Sequence, residues 1–154
     1  MKQNPQKKDI RQDLTVGRLT RDGFMGEDPR PFEQIILEDA ETLRVLNVTP
    51  EQIAEKMQAL TQKGLEGMGQ EVNAGEYQVT VEEFMGRIVC PFHDHRAAKR
   101  NTAARDKRGR ELSWTDLSIH LISTHGFFQG KGSAFRLEPA ESADFLGLTP
   151  HQYK

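Results

Sequence analysis

The sequence predicts an α+β fold in which an N-terminal helical hairpin packs on a small antiparallel sheet. Three observations lead there. Two stretches between residues 32 and 63 carry apolar residues at helical spacing. A stretch from Tyr77 to Val81 alternates with period two, and a strand–turn–strand pattern follows from Thr102 to Ser113. Helices followed by strands that alternate in this way build layered α+β domains rather than repeating βαβ units.

The first helix is predicted from Phe32 to Leu46. It opens after Asp28-Pro-Arg-Pro31, with Glu33 near the positive end of the helix dipole. Ile36, Ala40, Leu43 and Leu46 or Asn47 form one apolar stripe. The second helix has the stronger start. Thr49 is a capping residue, Pro50 fits the first helical position, and Gln52 stands where a capping box needs it. Ile53, Met57 and Leu60 make its apolar face, and Gly64 and Gly67 are expected to end it. Upstream, Gly23 and Gly26 punctuate a short segment whose Phe24 and Met25 dock on the core.

Gly64 to Gly75 holds four glycines and reads as a hinge. It divides the chain into a flexible tail over 1–13, a helical lobe over 14–66 and an α+β metal lobe over 67–154. The alternative is one integrated domain over 14–150. Past the hinge, Tyr77, Val79 and Val81 face one way as a half-buried strand. Met85-Gly86 is read as a turn, with Arg87 to Cys90 returning as a second strand. Ser113, with Asp116 three residues on, is expected to cap a helix bearing Trp114, Leu117 and Leu121, closed by Gly126. Gly126 to Ser133 lacks the spacing of a phosphate loop and follows a helix, so it reads as a turn carrying two aromatic plugs, Phe127 and Phe128. Ala134 to Leu137 is read as a last strand, and Pro139 to Leu146 as a short helix closed by Gly147.

Composition narrows the function. The chain has 154 residues, a net charge of -2, 36% hydrophobic and 29% charged residues. That charge argues against a protein coating nucleic acid along its whole length. A single cysteine cannot form an intramolecular disulfide. The polar start Met1-Lys-Gln-Asn-Pro-Gln lacks the apolar core of a signal peptide, and no apolar run approaches the roughly 20 residues needed to cross a bilayer. A soluble cytoplasmic protein is the expectation.

Chemistry concentrates between Cys90 and His125. This stretch holds the only cysteine and four of the five histidines, in Cys90-Pro-Phe-His93-Asp94-His95 and His120-Leu-Ile-Ser-Thr-His125. Thiolate with imidazole is a donor set that zinc prefers and that calcium and magnesium do not. The pattern Cys-x-x-His followed by His-x-x-x-x-His is similar to the spacing of zinc-finger sites, though with one cysteine and a long middle. The resemblance extends to the spacing and not to DNA reading. Cys90, His120 and His125 are the expected ligands. His93 is the expected fourth, with Asp94, His95 or water as alternatives, and Asp116 is placed to orient the His120 ring. Two histidines five apart point about 140° away from each other on an ideal helix, so the helix is expected to tighten or unwind at its last turn. The reading requires the sulfur and both rings within about 7 Å of one another. The opposing reading makes Cys90 a small buried hydrophobe and the histidines ordinary surface or core residues.

The leading expectation is therefore a small zinc-binding protein whose metal is structural and which acts as a partner-binding or regulatory module. A second reading is a nucleic-acid-binding regulator. From Arg87 to Arg110 there are eight Lys or Arg against two Asp. The contacts would come from Arg96, Lys99, Arg100, Arg105, Lys107, Arg108 and Arg110, together with a helix-turn-helix-like hairpin over 32–63. Against it, the second helix offers Glu51, Gln52, Glu55, Lys56, Gln58 and Gln62, where a reading helix shows more Arg and Lys. A third reading is a zinc hydrolase with an open coordination position. Cysteine-nucleophile catalysis is disfavoured because Cys90 ends a strand and is followed by Pro91, and no His-Glu-x-x-His or Gly-x-Ser-x-Gly motif is present.

Overall fold

The computed structural model describes residues 23–149. The tail expected over 1–13 and the last residues lie outside that range. Among the described residues the fold comprises four helices and a four-stranded sheet: α1 (Phe32–Leu46), α2 (Pro50–Leu65), β1 (Val72–Ala74), β2 (Tyr77–Val89), β3 (Arg96–Arg105), β4 (Glu111–Thr115), α3 (Asp116–His125) and α4 (Pro139–Phe145). The sheet is an antiparallel meander in the order β1-β2-β3-β4. Among the described residues, no helix is long and apolar enough to cross a membrane.

Both helices of the hairpin form where their end signals lie. In α2 the capping box closes in both directions: Gln52 N–H donates to Thr49 Oγ1 at 3.1 Å, and Thr49 N–H donates to Gln52 Oε1 at 2.9 Å. α1 ends on Asn47 in the left-handed conformation (φ 60°), and Val48 N–H reaches back to the Leu43 carbonyl. One detail differs from expectation. Gly64 lies within α2 rather than ending it, because the helix packs there directly on β2. A Cβ at Gly64 would sit 2.6 Å from Val81 Cγ2 and 2.8 Å from Val79 Cγ1.

The sheet differs more. Met85-Gly86 does not turn the chain. β2 continues to Val89, and its register against β3 jumps from Phe84↔Lys99 to Arg87↔Ala98. The two extra residues are thus absorbed as a bulge, with Gly86 at φ 93°. The reversal comes later, at residues 90–95, where Cys90 N–H donates to the His95 carbonyl at 2.9 Å and His93 N–H to the Cys90 carbonyl at 2.8 Å. The expected strand–turn–strand from Thr102 to Ser113 is present as β3, a turn and β4. Because Ser113 pairs with Ala103 in the ladder, the helix cap shifts to Thr115, whose side chain and that of Ser118 bond each other's backbone N–H. Ala134 to Leu137 makes no strand, although Leu137 is buried.

Two apolar clusters meet at α3. Ile119 and Ile122 join Leu43, Ile53, Met57, Val79, Val81, Ala104, Trp114 and Phe128. Leu117 and Leu121 join Phe24, Phe32, Ile35, Cys90, Ala97 and Phe127. The first cluster contains one polar chain, in which Trp114 Nε1 donates to Thr61 Oγ1 at 2.9 Å and Thr61 and Thr102 hydroxyls meet at 2.8 Å. All three side chains are buried with partners, so none carries the penalty of an orphaned polar group. With α3 held from two sides, His120 and His125 are left half-buried at its margin.

Candidate metal centre

Two elements supply the site. The turn that joins β2 to β3 begins at Cys90, which is fully buried beside Ala97 and Leu121. His93 takes φ 66° in that turn, and Asp94 and His95 follow it. The other half is the C-terminal end of α3, where His125 is the last helical residue and Gly126 leaves in the left-handed conformation (φ 63°). Cys90, Asp94, His120 and His125 offer donor atoms that all lie within 4.8 Å of one another. The sulfur and both rings therefore lie inside the 7 Å limit set by the sequence argument.

The hub is Asp94. Its Oδ1 lies 2.9 Å from His120 Nε2 and its Oδ2 2.8 Å from His125 Nε2, the carboxylate accepting from both rings. One side chain thus bridges two histidines that an ideal helix would splay apart. No break in α3 before His125 is needed, because the two imidazoles reach opposite oxygens of a single carboxylate. Asp94, the alternative to His93, is the fourth member of this group, and His93 is exposed and lies outside it. The positive φ at His93 turns the backbone so that the following residue meets the helix.

Rings surround the donors. Phe92 stacks on His125 with centroids 4.1 Å apart and planes at 14°. His95 stacks on His120 at 4.3 Å and 20°. Thr124 Oγ1 lies 3.3 Å from His120 Nδ1, the ring nitrogen turned away from Asp94. Asp116, expected to orient His120, instead holds Arg100, with Nη2–Oδ2 at 2.7 Å. A residue four before a histidine and one four after it are equally near on a helix, and here the hydroxyl of Thr124 is the one at the ring.

The thiol and the carboxylate shift in opposite directions. Burial pushes the Cys90 thiol up to about 12, and Asp94 nearby adds to the effect. Burial also pushes the Asp94 carboxyl up, but hydrogen bonds from His120 and Cys90 and the charge of His125 and His120 outweigh it and hold that group at about 2. The metal-free site thus keeps a protonated thiol beside an ionised carboxylate. Cys90, Asp94, His120 and His125 could hold a dication, which would then take the place of the thiol proton.

Carboxylates hold three of the side chains in the basic segment. Arg100 is held by Asp116, Arg105 lies 3.0 Å from Glu71, and Arg110 bridges Asp106 and Asp144 at 2.8 Å each. Arg96, Lys99, Lys107 and Arg108 are exposed, on a strand and a turn rather than on one continuous loop. The hairpin of α1 and α2 packs through its second helix on β2 and presents Glu51, Gln52, Glu55 and Gln58 to solvent.

Sequence reasoning reached three of the four clustered side chains and held the fourth as an alternative. It did not find the stacking partners. The signal was present, since Phe92 and His95 flank the donors within Cys-Pro-Phe-His-Asp-His, but only the turn geometry shows that their faces meet the histidines of α3. Compared with known proteins, the chain matches no family, no curated protein and no solved structure.

Proposed function

We propose that the protein binds one zinc ion through Cys90, Asp94, His120 and His125, and that this ion is structural. The observation that carries the reading is the meeting of one sulfur, two imidazoles and a carboxylate from two distant segments within 4.8 Å. Sulfur and nitrogen together favour zinc over the hard cations. Tetrahedral bonds of about 2.0–2.3 Å set donors about 3.3–3.8 Å apart, so the ion draws the widest pair inward by about 1 Å. The ion then fastens the turn over 90–95 to the end of α3, two parts of the chain otherwise joined there by side-chain contacts.

In this reading the protein is a binding or regulatory module. Its support is that β2 carries exposed apolar side chains, Phe84, Met85 and Val89, with Met85 94% exposed.

Elemental analysis of protein purified without a histidine tag tests the metal. About one zinc per chain is expected, and Cys90→Ser should lower both metal content and melting temperature. A chain that carries no zinc after equilibration with the ion overturns the reading.

One observation favours a second reading. Asp94 is the most open of the four, its side chain 38% exposed against 14% and 20% for the two histidines. With zinc on Cys90, His120 and His125 alone, the carboxylate would be free to serve as base toward a metal-bound water, the arrangement of a hydrolase. Asp94→Asn separates the two, since it weakens zinc binding if Asp94 is a ligand and leaves it intact if Asp94 is a base.

A further inference from the structure

We propose that Phe92 and His95 are positioning residues that lock the two imidazoles into the orientation the ion needs. The inference rests on reading the cluster as a zinc site and goes beyond it by assigning how the site is pre-formed.

Histidine χ2 is a broad torsion, so a histidine at a helix end samples many ring orientations unless something holds its plane. Here both planes are held, and by the same turn that supplies Cys90 and Asp94. The Phe92 ring covers His125 at 4.1 Å and 14°, and the His95 ring covers His120 at 4.3 Å and 20°. Phe92 is itself fixed, since Phe32 and Phe127 meet it edge-on at 5.5 Å and 5.8 Å, with interplanar angles of 76° and 79°. The two histidines stand at 79° to each other, so neither can cover the other's face. Their Nε2 atoms both aim at the Asp94 carboxylate.

Within six residues the turn alternates its tasks. Positions 90 and 94 bring donors, and positions 92 and 95 bring flat faces to the donors of α3. Outer residues that orient metal ligands commonly change affinity by about 10–100-fold when removed.

His95 provides the decisive test because it is exposed, so its replacement leaves the core intact. Full-length His95→Ala, His95→Phe and Phe92→Leu proteins are compared with the wild type in three measurements. These are metal-free melting, zinc affinity by competition with a chromophoric chelator, and the visible spectrum of the cobalt(II) form. His95→Ala is expected to melt as wild type without metal, to bind zinc about tenfold more weakly, and to show altered cobalt bands. His95→Phe should restore affinity and spectrum, because it keeps a flat face and removes the nitrogens. Phe92→Leu should weaken zinc binding beyond any change in metal-free melting.

Wild-type affinity and spectrum in His95→Ala would overturn the role of His95, and loss in His95→Phe equal to that in His95→Ala would show that a ring nitrogen acts instead of the face. Unchanged affinity in Phe92→Leu would overturn the role of Phe92. A wild-type protein that binds no zinc fails at the site itself, an outcome distinct from a wild type that binds while the variants are unaffected.

Discussion

Asp94 and His125, 31 residues apart in sequence, meet at 2.8 Å between carboxylate Oδ2 and ring Nε2. The contact joins the β2–β3 turn to the last residue of α3, and the second oxygen of the same carboxylate takes His120. A carboxylate placed between two imidazoles holds both nitrogens near one point before any ion arrives.

This relationship predicts opposite results at neighbouring positions. Asp94→Asn should weaken zinc binding by at least about tenfold, since it removes a charged donor from the group. His93→Ala should leave zinc affinity within about twofold of wild type. Chelator competition measures both. Equal losses would return His93 to the ligand set.

How far this site was legible in the sequence depends on the type of information needed. The capping box at Thr49 and Gln52 and the alternation at Tyr77, Val79 and Val81 act over a few residues, so α2 and the inner part of β2 can be read directly. Cys90, His120 and His125 stand out because soft donors are rare and here are clustered. The choice between His93 and Asp94 is different. It depends on the φ of His93, which the turn sets through the bonds between Cys90, His93 and His95. The bulge at Met85-Gly86 was likewise hidden, because a glycine with positive φ serves a turn and a bulge equally well. Ser113 lost the cap to Thr115 through its pairing with Ala103, a contact that local pattern does not contain.

Arg136 and Asp39 form the most enclosed ion pair described, with side chains 8% and 6% exposed. Both guanidinium Nη atoms donate to the carboxylate, at 2.6 Å and 3.1 Å, and Nη1 also donates to the Gln129 carbonyl at 2.9 Å. The pair joins α1 to the segment after α3. Asp39→Ala would leave the guanidinium without its main partner in a poorly solvated place, and should destabilise the fold by about 3 kcal/mol. Urea unfolding of the metal-free protein measures it. Replacing both residues by apolar ones should cost less than this single change, because the enclosed guanidinium is then gone and Glu138, which Arg136 also holds, is open enough to water to be solvated.

Acid should reveal a second pair. Hydrogen bonds from the Arg30 side chain, from Lys131 N–H and from Arg30 N–H hold the Asp28 carboxyl well below the usual carboxylate range, despite the opposing effect of burial. A folded value below the unfolded one means that the ionised group favours the folded state. Its contribution is fully present above about pH 4 and is lost as the pH falls further. Asp28→Asn should therefore lower stability at pH 7 by about 1–2 kcal/mol, and the difference from wild type should shrink toward pH 2. Melting temperatures of metal-free protein across that range provide the check. A difference that is constant with pH would assign the effect to lost geometry instead of lost charge.

Gly64 sets helix propensity against packing. Alanine is favoured over glycine inside a helix by about 1 kcal/mol, so propensity alone makes Gly64→Ala stabilising. The added methyl, however, would lie 2.6 Å from Val81 Cγ2 and 2.8 Å from Val79 Cγ1, and both valines are buried in the main cluster with nowhere to move. Overpacking of that kind costs about 1–3 kcal/mol, because α2 must lift from β2 or the valines must leave their rotamers. The cost exceeds the gain, so Gly64→Ala should lower the midpoint of urea unfolding. Pairing it with Val81→Ala should recover part of the loss, since the removed methyls leave room for the new one. A Gly64→Ala protein as stable as the wild type would mean that α2 is free to stand off the sheet, and the close helix–strand contact would then be no constraint on the fold.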